Sequence, residues 1–369
     1  MSLKIGIIGL PNVGKSTLFQ ALTKKNVLIK NYPFATIKPN FGISFINDLR
    51  LFKIAKIFQS KKISQNYVNF VDIAGLVKNA SKGEGLGNEF LSNIKMVDAL
   101  IHVVRCFQNK DIIHVENNIN PLQDIQTVNL ELIIHDLESI KKIKINFNKK
   151  YGKQSSSNNY KIHNLIFQKF EKCLESEQLL NTLTLSKKEQ SIIKNFQLLT
   201  LKPQIFLANI SALNNLDLNS QQSQNLNILK KYCQKIKRKL IILDFDLELL
   251  ANELSKSENE LMHKEYNLSE NLQTVIIKSH QILNLATFFT AGIKETRAWT
   301  FKKGSTAYEC AEIIHTDIQK GFIKLEIYTY LDLMKYKTFL NLKNHGLVMI
   351  EGKNYIIKDG DICYFRFNI

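Results

Sequence analysis

The chain opens with a short, mostly apolar run, Leu3-Lys4-Ile5-Gly6-Ile7-Ile8, followed after a turn by Leu18, Phe19 and Leu22 at helical spacing among the polar Thr17, Gln20 and Lys24. That change of rhythm predicts a buried strand delivering the chain into an amphipathic helix. Three more runs, Tyr67 to Val71, Ala99 to Val104 and Gln204 to Ala208, read as further strands. Between the last two the period lengthens. Ile125, Val128, Leu132, Leu137, Ile140 and Ile143 lie among charged residues and predict a long amphipathic helix over Asp124 to Lys149. The polar stretch Tyr151 to Lys161 is its turn, and Ile162, Leu165, Ile166, Phe170 and Leu174 mark a helix that can return antiparallel. From about Asn284 the texture shifts to short strands and turns. Tyr355-Ile356-Ile357 and Ile362 to Ile369, with Cys363, Phe365, Phe367 and Ile369 on one face, predict a hairpin across Asp359-Gly360. His315 and Asp317 are two residues apart and could share a strand face, as a structural pair or partner contact.

At 369 residues the chain is long enough for two or three cores. Its 44% apolar and 22% charged residues are those of a globular protein. The most apolar long stretch, Leu240 to Leu250, is broken by Asp244, Asp246 and Glu248, so no membrane span is expected. The short N-terminal run leads into a turn rather than a cleavage site, so a cytoplasmic chain is expected. Five scattered cysteines without a Cys-x-x-Cys pair argue against a disulfide framework or a zinc site. The net charge of +17 raises affinity for phosphate backbones without sequence recognition. A genome rich in Lys, Asn and Ile codons would give the same excess.

The turn after the first strand carries the chemistry. Gly9-Leu10-Pro11-Asn12-Val13-Gly14-Lys15-Ser16 is a complete phosphate-binding loop between strand and helix. In such a loop the amides from Asn12, Val13 and Gly14 through Lys15, Ser16 and Thr17 curl around phosphate oxygens, Lys15 reaches the β and γ phosphates, and the Ser16 hydroxyl serves Mg²⁺. Asp72, at the carboxyl end of the second strand run, is placed to orient the metal and its water, and Gly75 brings a backbone N–H toward a γ-phosphate. Between them Asn31 to Asn40 is a loop bounded by Pro33 and Pro39, in which Thr36 could complete metal coordination in one nucleotide state. Gly83, Gly85 and Gly87 suit a second mobile switch.

Two features depart from a Ras-like enzyme. The residue after Gly75 is Leu76, which cannot orient a water. The nearest alternative base is His114, in the polar loop Gln108 to Asn120, and a lone loop histidine is also a common solvated residue. The guanine-reading Asn-Lys-x-Asp motif is missing. Asn209-Ile210-Ser211-Ala212 stands in its place, with Ala212 where the aspartate would be, which favours ATP by removing the selection for guanine. Lys141, Lys142, Lys144, Lys149, Lys150 and Lys153 near the tip of the helical pair read either as a solvated face or as an RNA contact.

Taken together, Gly9 to Thr17, Asn31 to Asn40, Asp72 to Lys78, Ala80 to Gly87, Val104-Arg105-Cys106-Phe107, Thr287 to Gly292, Arg297-Ala298-Trp299-Thr300, Ile314 to Asp317, Lys320 to Ile323 and Glu351-Gly352-Lys353 resemble the YchF family of Obg-like ATPases over nearly the whole chain. The resemblance implies an α/β P-loop NTPase of the TRAFAC type: an Obg-type G domain in two parts (1–122 and 201–280), an inserted α-helical hairpin (123–200) and a C-terminal α+β TGS domain, β-grasp-like (284–369). It implies ATP preferred over GTP, Mg²⁺ as cofactor, and a ribosome partner, the large subunit or the 70S particle with its RNA, without membrane binding or DNA sequence specificity. It makes His114 the catalytic candidate beside Lys15, and brings Asn209 and Ile210 to the adenine. Ala35 stands where the family often has a redox-active cysteine, and Ala212 where it usually has glutamate. The acidic Leu243-Asp244-Phe245-Asp246 replaces expected small residues. A GTPase ribosome-assembly factor, and an RNA-binding protein with a structural nucleotide, are the alternatives.

Overall fold

The computed structural model describes residues 3–23, 41–73, 86–109, 119–152, 157–212, 220–266, 268 and 270–368. The first elements are β1 (Lys4–Ile8), α1 (Lys15–Thr23), β2 (Phe41–Phe45), α2 (Leu49–Phe58), β3 (Ile63–Ser64), β4 (Tyr67–Asp72), α3 (Leu86–Lys95) and β5 (Ala99–Arg105). Next come α4 (Pro121–Tyr151), α5 (Asn158–Glu175), α6 (Lys187–Ile193), β6 (Gln204–Asn209), α7 (Gln221–Lys235), β7 (Leu240–Leu243), α8 (Phe245–Ala251), α9 (Lys256–Glu265) and α10 (Leu272–Ile282). The last are β8 (Leu285–Thr290), β9 (Thr296–Lys302), α11 (Ala307–Ile314), α12 (Thr316–Lys320), β10 (Phe322–Thr329), α13 (Tyr330–Tyr336), α14 (Phe339–Asn344), β11 (Met349–Glu351) and β12 (Asp361–Phe367). Among the described residues no helix is long and apolar enough to cross a membrane.

The chain falls into two compact units. One holds Leu3–Gly42 and Asn69–Leu272. Its strands run in the order β4-β1-β5-β6-β7, all parallel. Every residue of β5 and β6 is buried, which explains their largely apolar sequences: helices cover both faces of a parallel sheet. The parallel direction also gathers the carboxyl ends of these strands on one edge, where ligands of such sheets bind. The long helix starts at an Asn120 cap that accepts from the Gln123 amide, with Pro121 in the first turn, where its missing N–H costs nothing. Ser157 caps the return helix in the same way. Together with α6 the pair builds its own core from Ile133, Ile140, Ile166, Phe167, Phe170 and Ile193.

The other unit joins Ile43–Val68 to Gln273–Ile369. Its sheet runs β11-β10-β12-β8-β9-β3 and buries both faces. Phe288 faces a core with Phe301, Cys310, Leu325 and Phe365, while its neighbour Phe289 faces Leu51, Ile54, Tyr328 and Ile362, the alternation a strand imposes.

Two local expectations change here. Asp359-Gly360 does turn, with Gly360 at φ +90°, but Tyr355–Ile357 is no strand, and its one bridge joins Ile356 to Thr306. Instead β12 pairs antiparallel with β10 and parallel with β8, and Phe367 is 40% exposed rather than on the buried face. Ile369 lies outside the described residues. His315 and Asp317 are not on a strand either: His315 Nδ1 accepts from the Asp317 amide at 3.2 Å and caps α12.

Candidate functional site

The loop between β1 and α1 takes its shape from two glycines in the left-handed half of conformational space, Gly9 at φ +150° and Gly14 at φ +100°. A Cβ on Gly9 would stand 2.6 Å from the Val103 carbonyl, and one on Gly14 would stand 2.5 Å from the Asn209 amide nitrogen and 2.9 Å from the Phe245 ring. Asn12, at φ 60°, is of a residue type that tolerates this region. Val13 is buried, and the Leu18 amide closes the first helical turn on the Gly14 carbonyl at 2.9 Å. The early amides of α1, from Ser16 and Thr17, thus stand at a helix N-terminus, where anions bind.

Lys15 and Asp72 face each other across this loop. Lys15 is 7% exposed and its Nζ donates to the Leu10 carbonyl at 2.7 Å. Burial lowers its pKa to about 8, against the pull of Asp72. Burial likewise raises the Asp72 carboxyl, opposed by the Ser16 hydrogen bond and by Lys15. For both partners desolvation outweighs their mutual attraction. Ser16 Oγ donates to Asp72 Oδ2 at 3.1 Å, so a hydroxyl and a carboxylate oxygen converge at the end of β4. Hard oxygen donors in so small a number suit Mg²⁺, which keeps most of its waters and takes the rest of its shell from substrate phosphates. Among the described residues no group of three or more His, Cys, Asp or Glu gathers for a metal. Thr36, Gly75 and His114 lie outside the described residues.

On the other side of β1 the ends of β6 and β7 close on the same loop. Asn209 Nδ2 donates to the Val13 carbonyl at 3.1 Å, and its Oδ1 accepts from the Phe245 amide at 3.4 Å. The Ile210 side chain is buried with Val104, Ile125 and Leu229, and its amide donates to the Leu243 carbonyl at 3.0 Å.

Over its full length the chain is 43% identical to a protein named "Ribosome-binding ATPase YchF" from Buchnera aphidicola, and the match spans all of that protein too. The chain belongs to the YchF family. Proteins of the same name from Bacillus subtilis and Mycoplasma genitalium are 42% and 45% identical, again over the whole of both chains. A solved structure, the "YchF GTPase" of Schizosaccharomyces pombe, superposes with a TM-score of 0.86 at 34% identity, covering 99% of this chain and 98% of its own. The family model described as YchF-GTPase_C, a protein of unknown function, matches residues 285–368, and that of a 50S ribosome-binding GTPase matches residues 4–149. As a YchF protein the chain has a P-loop G domain and a nucleotide-binding site built on it.

Two residues that the sequence reading quoted without giving them a role of their own stand at these strand ends. Arg105 is 1% exposed at the end of β5; Nε donates to the Phe107 carbonyl at 3.1 Å and Nη2 to that of Asn109 at 3.2 Å, with the guanidinium over the Phe107 ring. It sets the course of the chain after β5 as far as Asn109. Its sequence signals were its place in Val104-Arg105-Cys106-Phe107 and its position closing a strand that is apolar apart from His102. Asp244, 5% exposed at the end of β7, is the second: it read as part of an acidic segment standing where base-contacting small residues were expected.

Proposed function

We propose that this protein is a Mg²⁺-dependent ATPase that works on the ribosome. The observation that carries the reading is the convergence of Lys15, Ser16 and Asp72 on a phosphate loop whose neighbouring strand end presents Ala212 in place of a guanine-reading carboxylate. Lys15 and the amides of Asn12 to Thr17 bind the phosphates. Ser16 and Thr36 would hold Mg²⁺, with Asp72 beside them to orient its hydration shell, and the ion would supply positive charge to offset that of the triphosphate. Gly75 offers an amide to the γ-phosphate, Asn209 and Ile210 border the adenine, and His114 positions the attacking water in place of the side chain that Leu76 cannot supply. The domain reading is 1–122 and 201–280 for the nucleotide domain, 123–200 for the helical arm and 284–369 for a TGS domain.

The ribosome reading draws on the names of the relatives and on the arm's charge. Lys141, Lys142, Lys149, Lys150 and Lys161 are exposed, whereas Lys144 and Lys169 are paired with Glu171 and Glu189. Exposed lysines on this arm suit RNA phosphates, and a cytoplasmic location follows from that partner. A GTPase reading has support of its own in the names of the Schizosaccharomyces pombe structure and the 50S-binding family model. Competition between ATP and GTP for the purified protein decides between them. Cosedimentation with ribosomes in ATP, ADP and no nucleotide tests the partner: binding that tracks nucleotide state supports a switch, and no binding in any state removes the ribosome from the proposal. His114→Ala is expected to retain nucleotide binding and lose most hydrolysis.

A further inference from the structure

We propose that Asp244 sets the purine preference of the nucleotide site, reading position 6 of the base. The inference rests on the adenine-nucleotide reading above and names the residue behind it. In the sheet, β4 with Asp72 flanks β1 on one side, and β5, β6 and β7 follow on the other. A nucleotide whose γ-phosphate lies toward Ser16 and Asp72 therefore extends its base toward the carboxyl ends of β6 and β7. Those ends are held against the phosphate loop by Asn209, through Val13 and the Phe245 amide.

At that place one carboxylate engages the backbone donors of both loops. Asp244 Oδ1 accepts from the amides of Asp246 at 3.0 Å and Leu247 at 3.1 Å. Its Oδ2 accepts from the amide of Ala212 at 2.7 Å. The Phe245 amide goes to Asn209. Each of these four N–H groups is thus engaged within the protein and offers nothing to an acceptor on a base. A carboxylate has about four lone-pair directions, so after three bonds Asp244 still has one for a donor. Adenine presents an amino group at position 6; guanine and hypoxanthine present a carbonyl oxygen. The first can donate to Asp244. The second meets a carboxylate without a donor and is repelled, and rejection by unpaired buried polar groups is the stronger form of discrimination. Ala212 and Asp244 act together: the position that lost its carboxylate contributes an amide, and the carboxylate comes from β7 instead.

The test measures affinities of ATP, GTP and ITP by competition against a fluorescent ATP analogue, for the full chain and for Asp244→Asn and Asp244→Ser. Hypoxanthine carries the position-6 oxygen of guanine without its 2-amino group. In the wild type, GTP and ITP are expected to bind more weakly than ATP by similar factors. In Asp244→Asn, which keeps a capping oxygen and adds an amide donor, the ATP-to-GTP and ATP-to-ITP preferences are expected to fall by about tenfold or more, as ATP loses an acceptor and GTP and ITP gain a donor. Asp244→Ser keeps a cap and removes the charge, and is expected to shift in the same direction. An unchanged preference in either variant, folded by circular dichroism, overturns the proposal and leaves the ATPase reading intact. ITP binding as tightly as ATP in the wild type also overturns it, without recourse to any variant. A wild type that binds GTP as tightly as ATP overturns the adenine reading itself.

Discussion

The side-chain amide of Asn209 donates to the main-chain carbonyl of Val13 at 3.1 Å, so the end of β6 and the phosphate loop are fastened by one residue. Its other end holds the Phe245 amide, the first residue of α8. Asn209 thus acts on the loop that binds phosphate, common to every nucleotide, as well as bordering the base. Asn209→Ala is expected to weaken ATP and GTP alike, by about tenfold to a hundredfold, since two buried partners lose their hydrogen bonds. Equilibrium binding of both nucleotides checks this, and a loss confined to ATP would show that the residue reads the base and does not shape the loop.

Gly14 leaves room for that fastening. A methyl group there would press on the Asn209 amide and the Phe245 ring, and would force an L residue to φ +100°. Neither neighbour is free, because Asn209 is bonded at both ends and Phe245 is 1% exposed. Gly14→Ala is expected to abolish measurable nucleotide binding while the helical arm, with a separate core, keeps its fold. Isothermal titration and far-ultraviolet circular dichroism on the same sample read the two effects.

Lys15 makes binding a proton-linked event. Burial lowers its pKa from 10.5 to about 8 in the free protein, so the folded chain holds this proton less tightly than the unfolded one. Below about pH 8 both states are protonated and the cost of burying the charge is fully present; between about pH 8 and 10.5 the unfolded state binds more protons, and this residue's contribution to stability rises with pH. A triphosphate selects the charged form. Affinity is therefore expected to fall as pH rises through about 8, with uptake approaching one proton per nucleotide near about pH 9. Titration calorimetry in buffers of different protonation enthalpy measures that proton directly, and a heat independent of buffer would contradict it.

What could be read in the sequence was what is local. The phosphate loop, the strand ending at Asp72 and the two long helices each carry their own caps, glycines or periodicity, and they appear where the pattern puts them. Strand partners are not local. Nothing near Asp359-Gly360 reveals that β12 will pair with β10 and β8, because that choice depends on packing Phe288, Phe289 and Phe365 between helices drawn from distant segments. The grouping of Ile43–Val68 with the C-terminal unit is hidden for the same reason. Arg105 and Asp244 were quoted in the sequence, but their roles were not legible there because a charged residue at a strand end usually faces water. Here each turns inward to satisfy backbone groups, a role visible only once those groups have coordinates.

Asp136 controls the root of the helical arm. It lies on α4 with no exposed surface, and its carboxylate accepts from the amides of Leu199 at 3.0 Å and Thr200 at 2.8 Å and from the Thr200 hydroxyl at 2.7 Å. Those two residues lead into β6, the strand that ends at Asn209. One buried side chain therefore ties the arm to the strand that positions the phosphate loop. Asp136→Ala strands two backbone donors where water cannot reach, at a cost of about 3–5 kcal/mol, and Asp136→Asn, with a single acceptor oxygen, recovers only part of it. Urea unfolding checks the magnitude. If the arm reports nucleotide state to its partner, Asp136→Asn is also expected to bind ATP with nearly unchanged affinity yet to lose the difference in ribosome cosedimentation between ATP and ADP. The contact would then carry the signal as well as the stability, whereas a nucleotide-dependent difference that survived would leave Asp136 a purely structural anchor.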